Sequence, residues 1–297
     1  MRFSLLVTLA SATIIQAECF KGISDNVLVS SLSIPGTHNT MTKVIRRSPF
    51  QCQNTYLEEQ LKSGIRYLDF NLRLNDEMVE VYHAGVNTEF SLQDVIGFMC
   101  NFLDEYPTEA LIIRIHKESL RTGSKKRLER PMFRDWKASG IRAERAKSHL
   151  YTTDSGTVLA APTLGSLRGK ILLLEDFKVK TPDTYGIPWK SNAVVVSTSK
   201  LTLGDSGLAS KWDTVQSGLA AANVERENKL HITHTGVNLG FTSIVAAAGK
   251  EPGEGLNDRL GGYLNSGNIG RTGIVVMDFP GKELVGEIIK RNDAFLS

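Results

Sequence analysis

The side chains in this sequence that could move protons or face a phosphate gather at the ends of short runs rich in Val, Ile and Leu. His38 and Asn39 follow the first run; Asp69, Asn71 and Arg73 alternate along the second; His83 ends the third; His116, Lys117 and Glu118 end the fourth. Glu175 with Asp176, Thr198 with Lys200, Thr233 with His234, and finally Asp278 close the later runs. Imidazole, with an ordinary pKa of roughly 6.5, holds or releases a proton near neutral pH. Carboxylates and amides can ligate a hard cation, and guanidinium or ammonium groups can meet an anion directly. Residues two apart on a strand share a face, so Asp69, Asn71 and Arg73 point one way, as do Arg114, His116 and Glu118. Turned outward, these charges would meet a helix layer without water, at several kcal/mol for each ion; turned inward, they converge at one mouth. The inward arrangement is the expectation.

The apolar runs lie at 28–34, 66–73, 78–83, 110–117, 170–176, 194–199, 230–235 and 273–279, and helical patterns fill most of the gaps. The clearest helix starts at Ser91, a plausible N-cap, and carries Leu92, Val95, Ile96, Met99, Phe102 and Leu103 at helical spacing to residue 105. Others are expected near 54–63, 124–139, 211–225 and 282–292. Alternating strands and helices predict an α/β fold in one domain, a distorted (βα)8 TIM-type barrel. Distortion is expected because only residues 74–77 separate the second and third strands, too few for a crossover helix. Barrel active sites are built at the ends where these strands finish. Polar, Gly-rich stretches at 151–166, 180–192, 202–210 and 249–270 read as long loops.

Residues 1–17 carry one Arg, an apolar stretch and a small-residue ending, the build of a secretory signal. Removing them from 297 residues leaves 280, a suitable length for one barrel over 18–297. No later run reaches the roughly 18 apolar residues of a membrane span, so a secreted, soluble monomer is expected. The remainder holds 34 basic and 32 acidic side chains, too even a balance to argue for nucleic acid. In an oxidising compartment the three cysteines allow one disulfide, with Cys19–Cys52 expected and Cys100 buried as a thiol on the helix.

The segments SIPGTHNT (33–40), GIRYLDFNLR (64–73), VYHAG (81–85), FLDEYPTEALIIRIHKE (102–118), RGKILLLED (168–176) and GIVVMDF (273–279) resemble the catalytic region of phosphatidylinositol-specific phospholipases C. Order and spacing are similar to the smaller bacterial-type enzymes and fungal secreted relatives. SIPGTHN after a strand, with YHAG about 45 residues on, is the specific part of the signal. The resemblance implies a distorted barrel and attack of the inositol 2-hydroxyl on phosphorus of a membrane phospholipid. Diacylglycerol would leave and a cyclic inositol phosphodiester form, with His38 as base, His83 as acid and Asp278 orienting His38.

The same resemblance leaves the cation open. Bacterial-type members carry Arg at the position of Asn71 and Asp at that of Asn39. Calcium-dependent members have Asn at the latter and carboxylates at the positions of Asp69, Asn71 and His116. Either Ca²⁺ held by Asn39, Asp69, Asn71 and Glu118, or no metal and a direct cation from Arg73, Arg114 or Lys117, fits these residue types. Head-group contacts are expected from His116, Asp176 or Glu175, Thr198 and Lys200, without the stacking Tyr of bacterial relatives. A metal-dependent phosphodiesterase acting on glycerophosphodiesters or sphingolipids, and a catalytically decayed head-group binder, are the competing functions.

Blander roles apply to several of these residues. His116 and His231 are read as structural, while His234 stays open. Asp69 could cap a loop or pair with Arg66 or Arg73. The run Lys125-Lys126-Arg127 reads as a solvated helix face. Trp189 and Trp212 are either rim residues entering lipid or buried anchors.

Overall fold

The computed structural model describes residues 16–46, 50–76, 78–118, 141–153, 160–179, 185–199, 205–225, 227–237, 255–267 and 269–297. Its strands are β1 (Ile34–Thr37), β2 (Tyr67–Asn75), β3 (Met78–His83), β4 (Val86–Ser91), β5 (Leu111–Lys117), β6 (Ile171–Asp176), β7 (Ile187–Pro188), β8 (Val194–Ser197), β9 (Leu230–His234) and β10 (Ile274–Met277). The helices are α1 (Leu57–Lys62), α2 (Leu92–Glu105), α3 (Ile141–His149), α4 (Leu164–Leu167), α5 (Asp205–Val224), α6 (Leu256–Asn265) and α7 (Lys282–Ile289).

Eight strands run parallel in the order β7-β6-β5-β2-β1-β10-β9-β8, a barrel left open between β7 and β8 among the described residues. The expected architecture is therefore present, but its staves differ from those read in the sequence. Residues 78–83 are not a stave: β3 pairs antiparallel with β2 and β4, forming an arm beside the barrel. β2 runs on to Asn75 and pairs it with Met78, so a two-residue link remains and allows only a hairpin. The eighth stave is instead β7, two residues joined to β6, too short to leave a pattern. Gly186 before it passes so close to Leu173 that an added Cβ would lie 2.1 Å from that carbonyl oxygen. The first stave also begins later than expected, at Ile34, after a 3₁₀ turn over Val29–Ser31.

Strand periodicity separates two cores. Leu68, Phe70, Leu72, Leu111, Ile113 and Ile115 face α2 with Leu92, Val95, Met99 and Leu103, as alternation on a stave requires. Tyr67, Ile112, Leu172, Leu174, Ile232, Ile274 and Val276 fill the interior. Tyr67 needs Gly36 on the neighbouring stave, where a Cβ would lie 2.8 Å from its ring. Each interior column changes from apolar to polar near its C-terminal end: Tyr67 to Asp69, Ile112 to Arg114, Leu174 to Asp176, Val276 to Asp278. The inward reading of the charged faces is correct.

Helix α2 starts as expected. Ser91 Oγ accepts from the Asp94 amide, and the Asp94 carboxylate accepts from the Ser91 amide, satisfying two end donors. Trp212 packs edge-on against Tyr263 at 5.8 Å, an internal anchor. The expected helix at 124–139 and the basic run Lys125-Lys126-Arg127 lie outside the described residues, as does Lys200. No described helix is long and apolar enough to cross a membrane.

The Cys19–Cys52 disulfide is absent: none of the three cysteines is bridged. Cys19 sits at the end where the strands begin, donating to Glu109 at 3.4 Å. Cys52 lies at the opposite end, 4.0 Å from His83 Nε2. A bridge cannot span that separation. Cys100 is buried within α2, as expected.

Candidate active site

His38 follows β1 directly, and its amide donates to the Met277 carbonyl at 2.9 Å, which ties it to the end of β10. The Gln53 side chain donates to the carbonyls of both His38 and Met277 at 2.8 and 3.0 Å, fastening the two strand ends together. His38 Nδ1 lies 2.9 Å from Asp278 Oδ1, both groups buried. The Val237 amide donates to the other Asp278 oxygen at 2.9 Å. Gly236 makes this approach possible, since a Cβ there would lie 2.8 Å from His38 Nδ1 and 3.0 Å from Asp278 Oδ1.

His83 arrives from the antiparallel arm. Its ring centroid is 6.4 Å from that of His38, with the planes at 76°. Ala84 and Gly85 turn the arm in left-handed conformations, and the Gly85 amide donates to Glu118 Oε1 at 2.6 Å. The two imidazoles, 45 residues apart in sequence, thus face one another at the C-terminal mouth.

Their protonation states diverge. Burial alone would lower His38, but the Asp278 carboxylate overrides it and holds the imidazolium well above the ordinary value. Burial and the charge on His38 push His83 down to about 4. Two sites this close titrate as a pair. A proton shared by the pair therefore favours His38 over His83.

Behind the histidines lies a second group. Arg114 Nη1 donates to Asp69 Oδ1 at 2.8 Å, Arg114 Nε donates to Asp176 Oδ2 at 3.1 Å, and His116 Nδ1 meets that same oxygen at 2.9 Å. Burial would raise Asp69, yet Arg114, with His38 and His234, holds it below the usual carboxylate range. Asp176 is lowered in the same sense, burial being outweighed by His116 and Arg114. Asp69 therefore pairs with Arg114, not with Arg66 or Arg73. Arg73 instead lies 5.2 Å over the Tyr82 ring.

The residue types remain compatible with calcium, but the chain itself engages several of the oxygens that would hold it. Asn39 Oδ1 accepts from Asn71 Nδ2 at 2.7 Å, Asp69 carries the Arg114 guanidinium, and Glu118 accepts from Gly85. A fixed guanidinium on the central carboxylate competes with a hard cation for the same oxygens. The direct-cation alternative, through Arg114, is the one these contacts favour. Asn39 and Asn71 form a neutral amide pair where the bacterial pattern has Asp and Arg. Asn39 holds a left-handed backbone, φ 46°.

Of the remaining expected residues, Thr198 is exposed just past β8, and Lys117 is half-buried at the end of β5. The Glu175 side chain turns away to accept from the Tyr185 amide. Trp189 resolves to an internal position: the Arg114 guanidinium carbon lies 4.6 Å from its ring centroid, and His234 packs edge-on to it at 6.5 Å. His234 also meets His38 edge-on at 6.1 Å, and burial drives its pKa down to about 3. His231 lies near the start of β9, beside Gly273 and away from the mouth. Three neighbours escaped the sequence reading: Cys52, Gly236 and Lys211. Lys211 on α5 is fully buried, donates to the Ser199 carbonyl at 3.1 Å, and is lowered to about 8 by burial. No local pattern marks any of the three.

A one-mouthed barrel with a buried His-Asp pair facing a second His defines an acid-base phosphodiesterase class. Residues 29–176 match the family described as phosphatidylinositol-specific phospholipase C, X domain. The chain is 29% identical over 291 residues to the 1-phosphatidylinositol phosphodiesterase of Listeria monocytogenes, covering 93% of this chain and 84% of that protein. The solved structure of the Listeria monocytogenes phosphatidylinositol-specific phospholipase C superposes with a TM-score of 0.76 at 26% identity, covering 94% and 99% of the two chains. The Staphylococcus aureus enzyme, at 21% identity, shares the fold with a TM-score of 0.75 over 93% of this chain and 97% of its own.

Proposed function

We propose that this protein cleaves phosphatidylinositol, plain or glycosylated, at a membrane surface, releasing diacylglycerol and a cyclic inositol phosphodiester. The observation that carries this reading is the pair of imidazoles 6.4 Å apart at one mouth, with Asp278 behind only one of them. A phosphate bridging the two rings would take the place of the Asn39 amide that now meets His38 Nε2. His38 Nε2 takes the proton of the inositol 2-hydroxyl as its oxygen attacks phosphorus, and Asp278 stabilises the imidazolium that forms. His83 gives a proton to the departing glycerol oxygen. The resting proton on His38 suits the reverse assignment, in which His83 activates water to open the cyclic ester. An anionic phosphodiester beside His83 favours the protonated ring there, which sets up cleavage.

Arg114 is proposed to meet the phosphate and inositol hydroxyls. Two carboxylates hold its guanidinium, which lies 4.6 Å over the Trp189 ring. Asp176 and His116 line the same side. Secretion rests on the apolar leader at 1–17, and a single catalytic domain over 18–297 on the continuous barrel; monomeric behaviour belongs to the same proposal.

Vesicles of phosphatidylinositol followed by phosphorus NMR test the reading. The cyclic product should appear first, and His38→Ala should slow its formation per folded molecule by about 10²–10⁴-fold, with a lower melting temperature because Asp278 loses its buried partner. Full activity in His38→Ala would end the proposal.

A further inference from the structure

The thiol of Cys52 stands between the two imidazoles, a placement that acid-base catalysis does not require. Its sulfur is 4.0 Å from His83 Nε2 and 3.5 Å from the Asn39 amide nitrogen, and that nitrogen is 2.9 Å from His38 Nε2. When His38 is neutral, the amide donates to its Nε2, and the lone pairs of Nε2 and Cys52 Sγ both point toward that amide nitrogen. One ligand atom from each of His38, Cys52 and Asp278 falls within 4.8 Å of the others. Asp278 already holds the far nitrogen of His38, the carboxylate-histidine arrangement that orients a metal-bound imidazole.

Two imidazole nitrogens and a thiolate form a donor set for borderline and soft metals, unlike the oxygen set that calcium takes. Zinc takes nitrogen at about 2.0–2.1 Å and sulfur at about 2.3 Å in a tetrahedral shell. Ligand atoms of one shell then stand roughly 3.5 Å apart; Cys52 and His83 are near this at 4.0 Å, and His83 must swing inward to join the group that His38 and Cys52 already form. The Asn39 amide now at the convergence point can turn over. If Asn71 turns with it, their mutual bond survives and Asn39 presents Oδ1 to the ion as an added ligand.

We propose that His38, Cys52 and His83 form a binding site for a thiophilic divalent cation such as zinc, and that the bound ion switches the enzyme off. The ion takes the lone pairs that would accept and deliver protons, so occupancy and turnover exclude one another. On binding, the thiol proton and any proton held by the rings leave to solvent, and no electron moves. Inhibition rests on the reading of His38 and His83 as the acid-base pair; binding does not.

Two measurements on the full-length enzyme separate these. Cobalt titrated into chelator-stripped protein should produce a thiolate-to-cobalt charge-transfer absorption. Zinc should inhibit phosphatidylinositol cleavage reversibly, with chelator restoring it. Cys52→Ala and Cys52→Ser should still cleave phosphatidylinositol and should lose the cobalt band. They should also require at least about tenfold more zinc for the same inhibition, the least that loss of even an outer-sphere partner costs. Cobalt bound without a sulfur band, or unchanged zinc sensitivity in both variants, would overturn the proposal. If the parent cleaves no phosphatidylinositol, the functional reading fails while the cobalt spectrum still decides the site.

Discussion

Two buried pairs of opposite charge occupy the two ends of the barrel, and only one has an atom to spare. At the end where the strands begin, Arg66 and Glu109 are fully buried and joined at 2.9 Å. Arg66 also donates to the carbonyls of Leu61, Ile65 and Ala17, and Glu109 accepts from the Phe20 amide and the Cys19 thiol. The Phe102 ring lies 4.6 Å from the guanidinium carbon. Every direction around this pair is filled, so it can only hold the N-terminal segment to the barrel floor. At the mouth, Asp278 takes one nitrogen of His38, and the other meets a neutral side-chain amide, that of Asn39. Burial and charge alone therefore do not mark chemistry; a titratable atom left without a charged partner does.

Asp278→Asn should produce the largest effect and break the mouth pair alone. By analogy with triad aspartates, where the amide holds the wrong tautomer, turnover should fall by up to about 10⁴-fold. The pH profile gives a second readout. His38 is raised by Asp278, so its pair contributes stability that is complete below about pH 6.5 and is lost as pH rises through the folded value. In the parent, the alkaline limb of kcat/KM should lie above 6.5 and the acid limb near 4, where His83 titrates. In Asp278→Asn the alkaline limb should move toward acid, and stability should cease to decline on that side. An unmoved limb would show that Asp278 does not set the His38 proton.

Glu109→Gln tests the other end. It leaves the Arg66 charge buried without its counter-ion, at a cost of about 3–5 kcal/mol in urea unfolding. Turnover per folded molecule should match the parent. Loss of activity out of proportion to unfolding would mean that the floor is coupled to the mouth, and the contrast between the ends would fail.

How far these ends were readable in the sequence follows from what each contact requires. Strand periodicity exposed Asp69, Arg114, Asp176 and Asp278 because polar residues continue apolar interior columns. The histidines stood out because SIPGTHN and YHAG are specific. Asn71 was visible as a residue but not as the amide partner of Asn39, because that pairing depends on the left-handed turn after β1. Stave β7 has two residues and no periodicity. Cys52, Gly236 and Lys211 reach the site through loops and a helix whose destinations only the closed barrel fixes. The disulfide expectation failed for the same reason: cysteine counting says nothing about which end of the barrel each thiol occupies.

The smallest effect comes from one methyl group placed in each of two environments. Gly236→Ala puts a Cβ 2.8 Å from His38 Nδ1 and 3.0 Å from Asp278 Oδ1, closer than carbon and nitrogen tolerate. The loop or the ring must move by a fraction of an ångström, and misplacement of that order should lower kcat by about 10–100-fold. KM should change little, because Arg114 and Trp189 lie elsewhere. Lengthening the His38–Asp278 contact should also draw the alkaline limb slightly toward acid. Gly97→Ala on α2 meets nothing within 4 Å and should stabilise the helix by about 0.5–1 kcal/mol without touching turnover. Equal activity in the two variants would mean that the loop at 236 yields freely, and that the His-Asp pair is held by β1 and β10 alone.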